Sequence, residues 1–203
     1  MDGAKIRLSA KETELVTNAD WILTKNGILE KVRSLFAELQ ELQAGSLHSL
    51  SAQLPPKALL VPPKISKGEN YNGLPYLILD YPRVFDKQDV LAIRCLFWWG
   101  HFFSITLQLG GDYKKRFENN CIEGYTYFRS GDYYSCIHSD EWQHHFDPSN
   151  YRLVADFTAA GWESFIKERP FVKMARKYPL SQWDDMLINL STDFSNLAGK
   201  ILY

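Results

Sequence analysis

The sequence predicts an α+β fold in which an antiparallel sheet has N- and C-terminal helices packed on one face. Near both ends of the chain, apolar residues recur at helical spacing, whereas in the middle they alternate with a period of two. The order helices, strands, helices is typical of a sheet covered by helices. The length of 203 residues fits a single domain, residues 1–203, with its own core.

The first 44 residues are predicted to be helical. Ser9 and Glu12 have the spacing of a capping box. Asn26-Gly27 is expected to divide or kink the helical segment, and Gly45 to end it. One apolar stripe follows the helical period through the second half of the segment. Its members are Ile28, Leu29, Val32, Leu35, Phe36, Leu39 and Leu42.

A connection rich in Pro and Gly, residues 45–73, joins this segment to a sheet predicted between residues 75 and 138. The connection is expected to be loop, with one short strand at residues 58–61. The sheet begins with a strand at residues 76–82, which Pro82 ends or places at an edge.

A hairpin follows, and its register decides which side chains share a face. A three-residue loop at 99–101 pairs Trp98 with Phe102 and Arg94 with Thr106, which gathers the apolar side chains on one face. A two-residue loop would oppose Arg94 to Leu107, so burial favours the longer loop. The second face then carries Arg94, Trp98, Phe102, Ser104, Thr106 and Gln108.

The rest of the chain is predicted to hold two strands, a short helix and further helices. The strands flank the turn at residues 130–132, and Ser139 is expected to cap the short helix. Residues 155–203 are predicted to be helical. Pro170 is expected to open one helix there, and Ser181 to cap the last one.

The second face of the hairpin is the candidate ligand site. Arg94 stands there beside Thr106, Gln108 and two aromatic rings, and a neighbouring strand is expected to add Tyr125, Tyr127 and Arg129. A guanidinium among hydroxyls and rings suits a small anionic or carboxylate ligand. The alternative is a structural role, in which Arg94 pairs with an acidic residue of a covering helix or extends to water.

A second candidate is the polar stretch at residues 136–147. It holds Cys136, His138, Asp140, Glu141, His144, His145 and Asp147. A metal-assisted hydrolase would use Cys136 or His138 together with Asp140 and His144, and a Cys/His hydrolase would use a cysteine nucleophile with a histidine base. The spacing is not that of HExxH or of a zinc module, and adjacent histidines on a helix diverge by about 100°. We therefore expect no tightly bound metal and no cofactor.

Composition narrows the function classes further. A net charge of −1 and a pI near 6.5 produce no field of one sign, so a nucleic-acid partner is not expected. No apolar run is long enough to cross a membrane, and three cysteines without a CxxC pair indicate a reducing, cytoplasmic setting. The leading hypothesis is a binding module for a small anionic ligand or a protein partner. The hydrolase is the alternative, and a homo-oligomer held by aromatic and helical surfaces is a third.

Overall fold

The computed structural model describes residues 6–202 and confirms the α+β fold, with a seven-stranded antiparallel sheet. The helices are α1 (Ala10–Thr17), α2 (Ala19–Ser49), α3 (Pro56–Leu60), α4 (Gly111–Glu123), α5 (Tyr125–Ser130), α6 (Ala159–Glu168) and α7 (Met186–Ile201). The strands are β1 (Lys64–Tyr71), β2 (Leu74–Phe85), β3 (Val90–Trp98), β4 (Phe102–Gly110), β5 (Tyr134–Cys136), β6 (Tyr151–Leu153) and β7 (Phe171–Pro179). No helix in this part of the chain is both long and apolar enough to cross a bilayer.

The strand order is β1-β2-β3-β4-β7-β5-β6, so the last strand of the chain lies beside β4 in the interior of the sheet. The hairpin of β3 and β4 has the predicted register. Trp98 pairs with Phe102 and Arg94 with Thr106, across a loop at residues 99–101.

The two faces of the sheet differ as the hairpin register requires. The first face carries Leu91, Ile93 and Cys95 from β3, and with the matching apolar residues of β2, β4 and β7 it packs against α2, α4 and α7 in the main core. The second face carries a set of polar side chains near its centre. We call these the polar cluster: Asp80, Arg94, Thr106, Gln108 and Lys173.

The N-terminal helices confirm the capping box and correct the helix bounds. Ser9 and Glu12 make both bonds of the box at the start of α1. α2 runs without a break through Gly27 and past Gly45 to Ser49, so both expected interruptions are wrong. The helix continues because Leu47, in its last turn, is fully buried against the core, and packing outweighs the weak propensity of a single glycine.

The connection holds more regular structure than the sequence indicated. Residues 58–61, expected to be a strand, lie largely within α3, which Pro56 opens at its first position. β1 lies in the stretch expected to be loop and pairs along β2 as an edge strand. Pro82 does not end β2. It stands at an irregularity between Asp80 and Arg83, after which the strand continues to Phe85.

Residues 125–129 are not a strand, and residues 139–146 are not a helix. The former lie in α5, where Phe128 faces the core. Tyr125 and Tyr127 are half-buried against the same core. Residues 139–146 belong to a loop without helix or strand that spans residues 137–150, which we call the covering loop. Several of its backbone groups are bonded instead by Tyr71 of β1, by Lys173 of β7 and by Arg169 at the end of α6.

Residues 171–179, expected to be a helix, form β7. Every residue of this strand is paired with β4, from Phe171 opposite Gly110 to Pro179 opposite Phe102. Cross-strand pairing here overrides the helix propensity of Met, Ala, Arg and Lys. α6 confirms the predicted helix in its region. Ser181 does not cap the last helix, because a 3₁₀ turn at Leu180–Asp185 precedes α7.

Candidate functional site

The covering loop lies over the polar cluster and closes most of the second face. Three side chains hold its backbone. Lys173 donates to the carbonyls of Glu141 and Gln143, Arg169 donates to those of Ile137 and His138, and the hydroxyl of Tyr71 accepts the amides of His144 and His145. Backbone groups of this loop thus find partners on β1, on β7 and at the end of α6.

Arg94 is committed to protein partners. Its Nε and Nη2 lie 2.7 and 2.9 Å from the two carboxylate oxygens of Asp80, its cross-strand neighbour. Its Nη1 donates to Nε2 of His144 over 3.1 Å. Burial, together with the nearby positive charges of Lys173 and Arg94, keeps the pKa of His144 well below its ordinary value. A neutral His144 that accepts from Arg94 is therefore part of the fastening of the covering loop.

Lys173 is the most deeply buried cation of the polar cluster. Its side chain is enclosed by the covering loop, and its ammonium lies 5.5 Å from the ring centre of Tyr151. Burial lowers the pKa of Lys173 to about 8, although the charges of Cys136, Asp140 and Glu141 oppose the shift. This amine holds two loop carbonyls and titrates within reach of ordinary solution conditions.

Thr106 and Gln108 are also occupied. Gln108 donates from Nε2 to Oε2 of Glu141 over 2.8 Å. Thr106 is hydrogen-bonded to the buried hydroxyl of Tyr151, whose pKa is raised well above its ordinary value by burial. The predicted ligand residues Arg94, Thr106 and Gln108 are therefore brought together as expected, but their polar groups contact other side chains and the covering loop.

One end of the second face stays open beside the turn that joins β3 and β4. A cleft of about 460 Å³, which we call the end cleft, lies between this turn, the end of the covering loop and β7. Its walls are formed by Asn72, Trp98, His101, Phe102, His145, Phe146, Asp147 and Lys177. The aromatic walls are packed against each other, with Phe102 and Phe146 ring centres 5.0 Å apart and His101 stacked on Trp98 at 3.6 Å.

The end cleft is rich in nitrogen groups. The ammonium of Lys177 lies 5.4 and 5.2 Å from the ring centres of Tyr134 and Phe146, and no salt bridge among residues 6–202 involves it. His145 Nδ1 lies 3.1 Å from a carboxylate oxygen of Asp147 but outside hydrogen-bond geometry. An ammonium on aromatic rings at the mouth of an open cleft can take an anion whose body stacks on those rings.

The three predicted site residues of the 125–129 stretch lie on the other side of the sheet. Tyr125 and Tyr127 pack against the main core, where their hydroxyls bond the carbonyl of Phe157 and the hydroxyl of Tyr133. Arg129 is exposed and lies over the ring of Tyr125. The expectation that a neighbouring strand would bring them to Arg94 is wrong, because α5 takes the place of that strand.

The residues of the hydrolase alternative are not assembled for metal binding. No group of three or more His, Cys, Asp or Glu side chains within the described chain could hold a metal ion. His138 accepts the backbone amide of Asp140 at Nδ1, and His144 faces Arg94. The thiol of Cys136 donates to Oδ1 of Asn150 and to the carbonyl of His138, and burial raises its pKa. A thiol with a raised pKa is a poor nucleophile.

The sequence reasoning missed Lys173, Lys177 and Phe146. The two lysines lie in the stretch that was predicted to be helical. Yet the alternation of Phe171, Lys173, Ala175 and Lys177 with Val172, Met174, Arg176 and Tyr178 was a visible strand signal that would have placed both lysines on one face. For Phe146 no local signal exists, since its position depends on how the covering loop folds back.

Comparison with protein-family models, with curated proteins and with solved structures found no match.

Proposed function

We propose that this protein is a non-catalytic binding module for a small planar anion, such as an aromatic carboxylate, held in the end cleft. The observation that carries the proposal is the Lys177 ammonium, which stands between two rings beside an open cleft and has no carboxylate partner among the described residues. Phe102 and Phe146 offer ring surface for stacking, and His101 and His145 offer further nitrogen groups.

Arg94 has a supporting role in this proposal. Because its guanidinium is bound to Asp80 and His144, it fixes the covering loop that forms one wall of the end cleft. The proposed ligand is still a small anion, as the sequence indicated for the second face. The cation that contacts it is now Lys177 instead of Arg94. The three cysteines are free and buried, which supports a location in the cytoplasm.

Benzoate and its neutral analogue benzamide are suitable probes, since they differ in charge but share a planar ring. We expect benzoate to shift the amide NMR signals of Phe102, Phe146 and Lys177, and benzamide to bind more weakly. Lys177→Met should weaken benzoate binding about tenfold, because a hydrogen bond to a charged group contributes roughly 1.5–3 kcal/mol and part of that is lost to solvent at an exposed lysine.

The matched control is Lys200→Met. Lys200 also lies over a tyrosine, with its ammonium 5.6 Å from the ring centre of Tyr127, but on the helical side of the molecule. The Lys200→Met variant should leave benzoate binding unchanged. Equal binding of benzoate and benzamide, equal loss in both variants, or no signal shift around the end cleft would each contradict the proposal.

A further inference from the structure

A second surface, unrelated to the end cleft, lies at the N-terminal helices. Most of the exposed large apolar side chains of the described chain fall between residues 6 and 23. They are Ile6, Leu8, Leu15, Val16, Trp21, Ile22 and Leu23. Several of them line a groove of about 640 Å³ at the junction of α1 and α2. We call residues 6–23 the apolar corner. Soluble chains rarely expose such a contiguous set without a partner for it.

α1 has little reason to be helical on its own. It buries none of its residues, and helices shorter than about 12–15 residues are marginal in water without tertiary packing. Its direction is set by its capping box and by Asn18, the single residue that links α1 to α2 and caps both helices. The apolar side chains nevertheless point to solvent, with Val16 69% and Leu23 63% exposed. A helix built this way needs a surface outside its own chain.

The charges of the apolar corner distinguish between kinds of partner. Arg7 and Lys11 are basic, while Glu12, Glu14 and Asp20 are acidic. An anionic membrane would be repelled as much as attracted, because basic residues do not outnumber acidic ones. A second copy of the same surface, turned by a two-fold axis, can set Lys11 of each chain near the acidic residues of the other.

Exposure and size point the same way. Val16 and Leu23 both line the groove and are 69% and 63% exposed, so the same side chains of a second copy can pack against them about a two-fold axis, as an isologous contact requires. The corner spans residues 6–23 and adjoins Trp99, which contacts Trp21 at a ring-centre distance of 6.4 Å. That approaches the roughly 20–30 residues that each partner contributes to a stable interface.

We infer that the apolar corner is a homodimer interface, in which α1 and the start of α2 pack against the same elements of a second copy. The end clefts of the two chains remain open, since the corner does not include them.

Sedimentation velocity from micromolar to hundreds of micromolar protein tests this. The wild-type protein should move from monomer to a species of twice 23.5 kDa as concentration rises. Val16→Lys with Leu23→Lys should stay monomeric throughout, because two buried charges per chain would have to be desolvated in the dimer. The amides of residues 10–23 should exchange hydrogen more slowly in the wild-type dimer than in this variant.

Ile188→Lys is the matched control. Ile188 and Leu23 are equally exposed, at 63%, but Ile188 lies on α7, away from the apolar corner. This variant should dimerise like the wild type. Far-UV circular dichroism shows whether each variant is folded, and because α1 buries nothing, the sheet should be unaffected. A monomeric wild type, or a dimer that survives the double substitution, would overturn the inference. So would a monomer that instead sediments with vesicles of phosphatidylcholine and phosphatidylserine.

Discussion

At the residue scale, the second face is stabilised by charged groups that lie inside the protein and pair with one another. The side chains of Arg94 and Asp80 are only 14% and 10% exposed. When one of them is removed, water therefore cannot take its place beside the charge that remains. The pair occupies directly opposed positions of β2 and β3. Such pairs contribute little when compared with apolar residues, but breaking one is costly because the remaining charge is buried.

Arg94→Met should therefore lower the free energy of unfolding by about 3–5 kcal/mol, as measured by urea denaturation. Asp80→Leu should cost a similar amount, and the double variant should cost clearly less than the two single ones together. Lys57→Met is the control, since Lys57 and Asp86 form an ion pair on the exposed surface, where solvent screens the two charges and the pair contributes little. Additive losses in the Arg94–Asp80 cycle would show that the pair does not couple.

Lys173 should make stability depend on pH in the alkaline range. Its pKa is lowered from 10.5 to about 8 in the folded chain, so the unfolded chain binds more protons between these values and stability rises with pH there. The unfolding free energy of the wild type relative to Lys173→Met should increase by about 2 kcal/mol from pH 7 to pH 10, since each pKa unit corresponds to about 1.4 kcal/mol. A difference that is constant over this range would mean that Lys173 has an ordinary pKa.

At the element scale, α2 shows how packing decides where a helix ends. The sequence marks Gly27 and Gly45 as interruptions, yet the helix passes both. A Cβ at either position would meet no atom within 4 Å. Neither glycine is therefore required by a close approach or by its conformation, and each only weakens the helix.

Gly45→Ala should stabilise the protein by about 0.5–1 kcal/mol, because alanine loses less backbone freedom in a helix. Gly111→Ala, at the junction of β4 and α4, should destabilise it. Gly111 has a φ of +57°, and a Cβ there would lie 2.4 Å from the carbonyl oxygen of Gln88. Thermal unfolding of the two variants measures both effects. Destabilisation by Gly45→Ala would indicate that α2 is broken there, as the sequence suggested.

At the scale of the whole molecule, the N-terminal helix α2 and the C-terminal helix α7 share one main core on the first face of the sheet. Phe36 of α2, Phe103 of β4 and Phe194 of α7 all belong to it. Elements from the two ends of the chain are thus buried against the same strands, and β7 completes the sheet between β4 and β5.

We expect a single cooperative unfolding transition, because α2 and α7, from the two ends of the chain, are buried in the same core. Near-UV circular dichroism, which reports the aromatic core, and far-UV circular dichroism, which reports the helices, should give the same midpoint. Limited proteolysis should yield no stable fragment cut between residues 50 and 63. Two separated transitions would support two domains instead of one.

Much of the fold was predictable because the signals are local. The capping box at Ser9, the stripe through Val32 and Phe36, and the alternation of β3 and β4 each reflect the burial of one face at its own period. The hairpin register followed from burial as well, since any slip would have exposed apolar residues. These features depend on neighbours in sequence or on one adjacent strand.

The candidate site was only partly predictable. Arg94, Thr106 and Gln108 were placed on one face correctly, and Tyr125, Tyr127 and Arg129 were placed there wrongly. The difference has a physical cause: the first three lie on a hairpin whose partner is next in sequence, whereas the position of residues 125–129 depends on whether a strand or a helix meets the core. The aromatic residues of this stretch can be packed against the core by a strand or by a helix.

By itself, the sequence determined the α+β class, the hairpin and the polar character of the second face, because hydrophobic periodicity specifies which side of each element is buried. Only the tertiary structure decided that β7 is a strand, that the covering loop engages Arg94 and Lys173, and that Lys177 is left at the end cleft. Those outcomes depend on contacts between residues distant in sequence. Their energies are set by burial and by the satisfaction of polar groups, which no local pattern specifies.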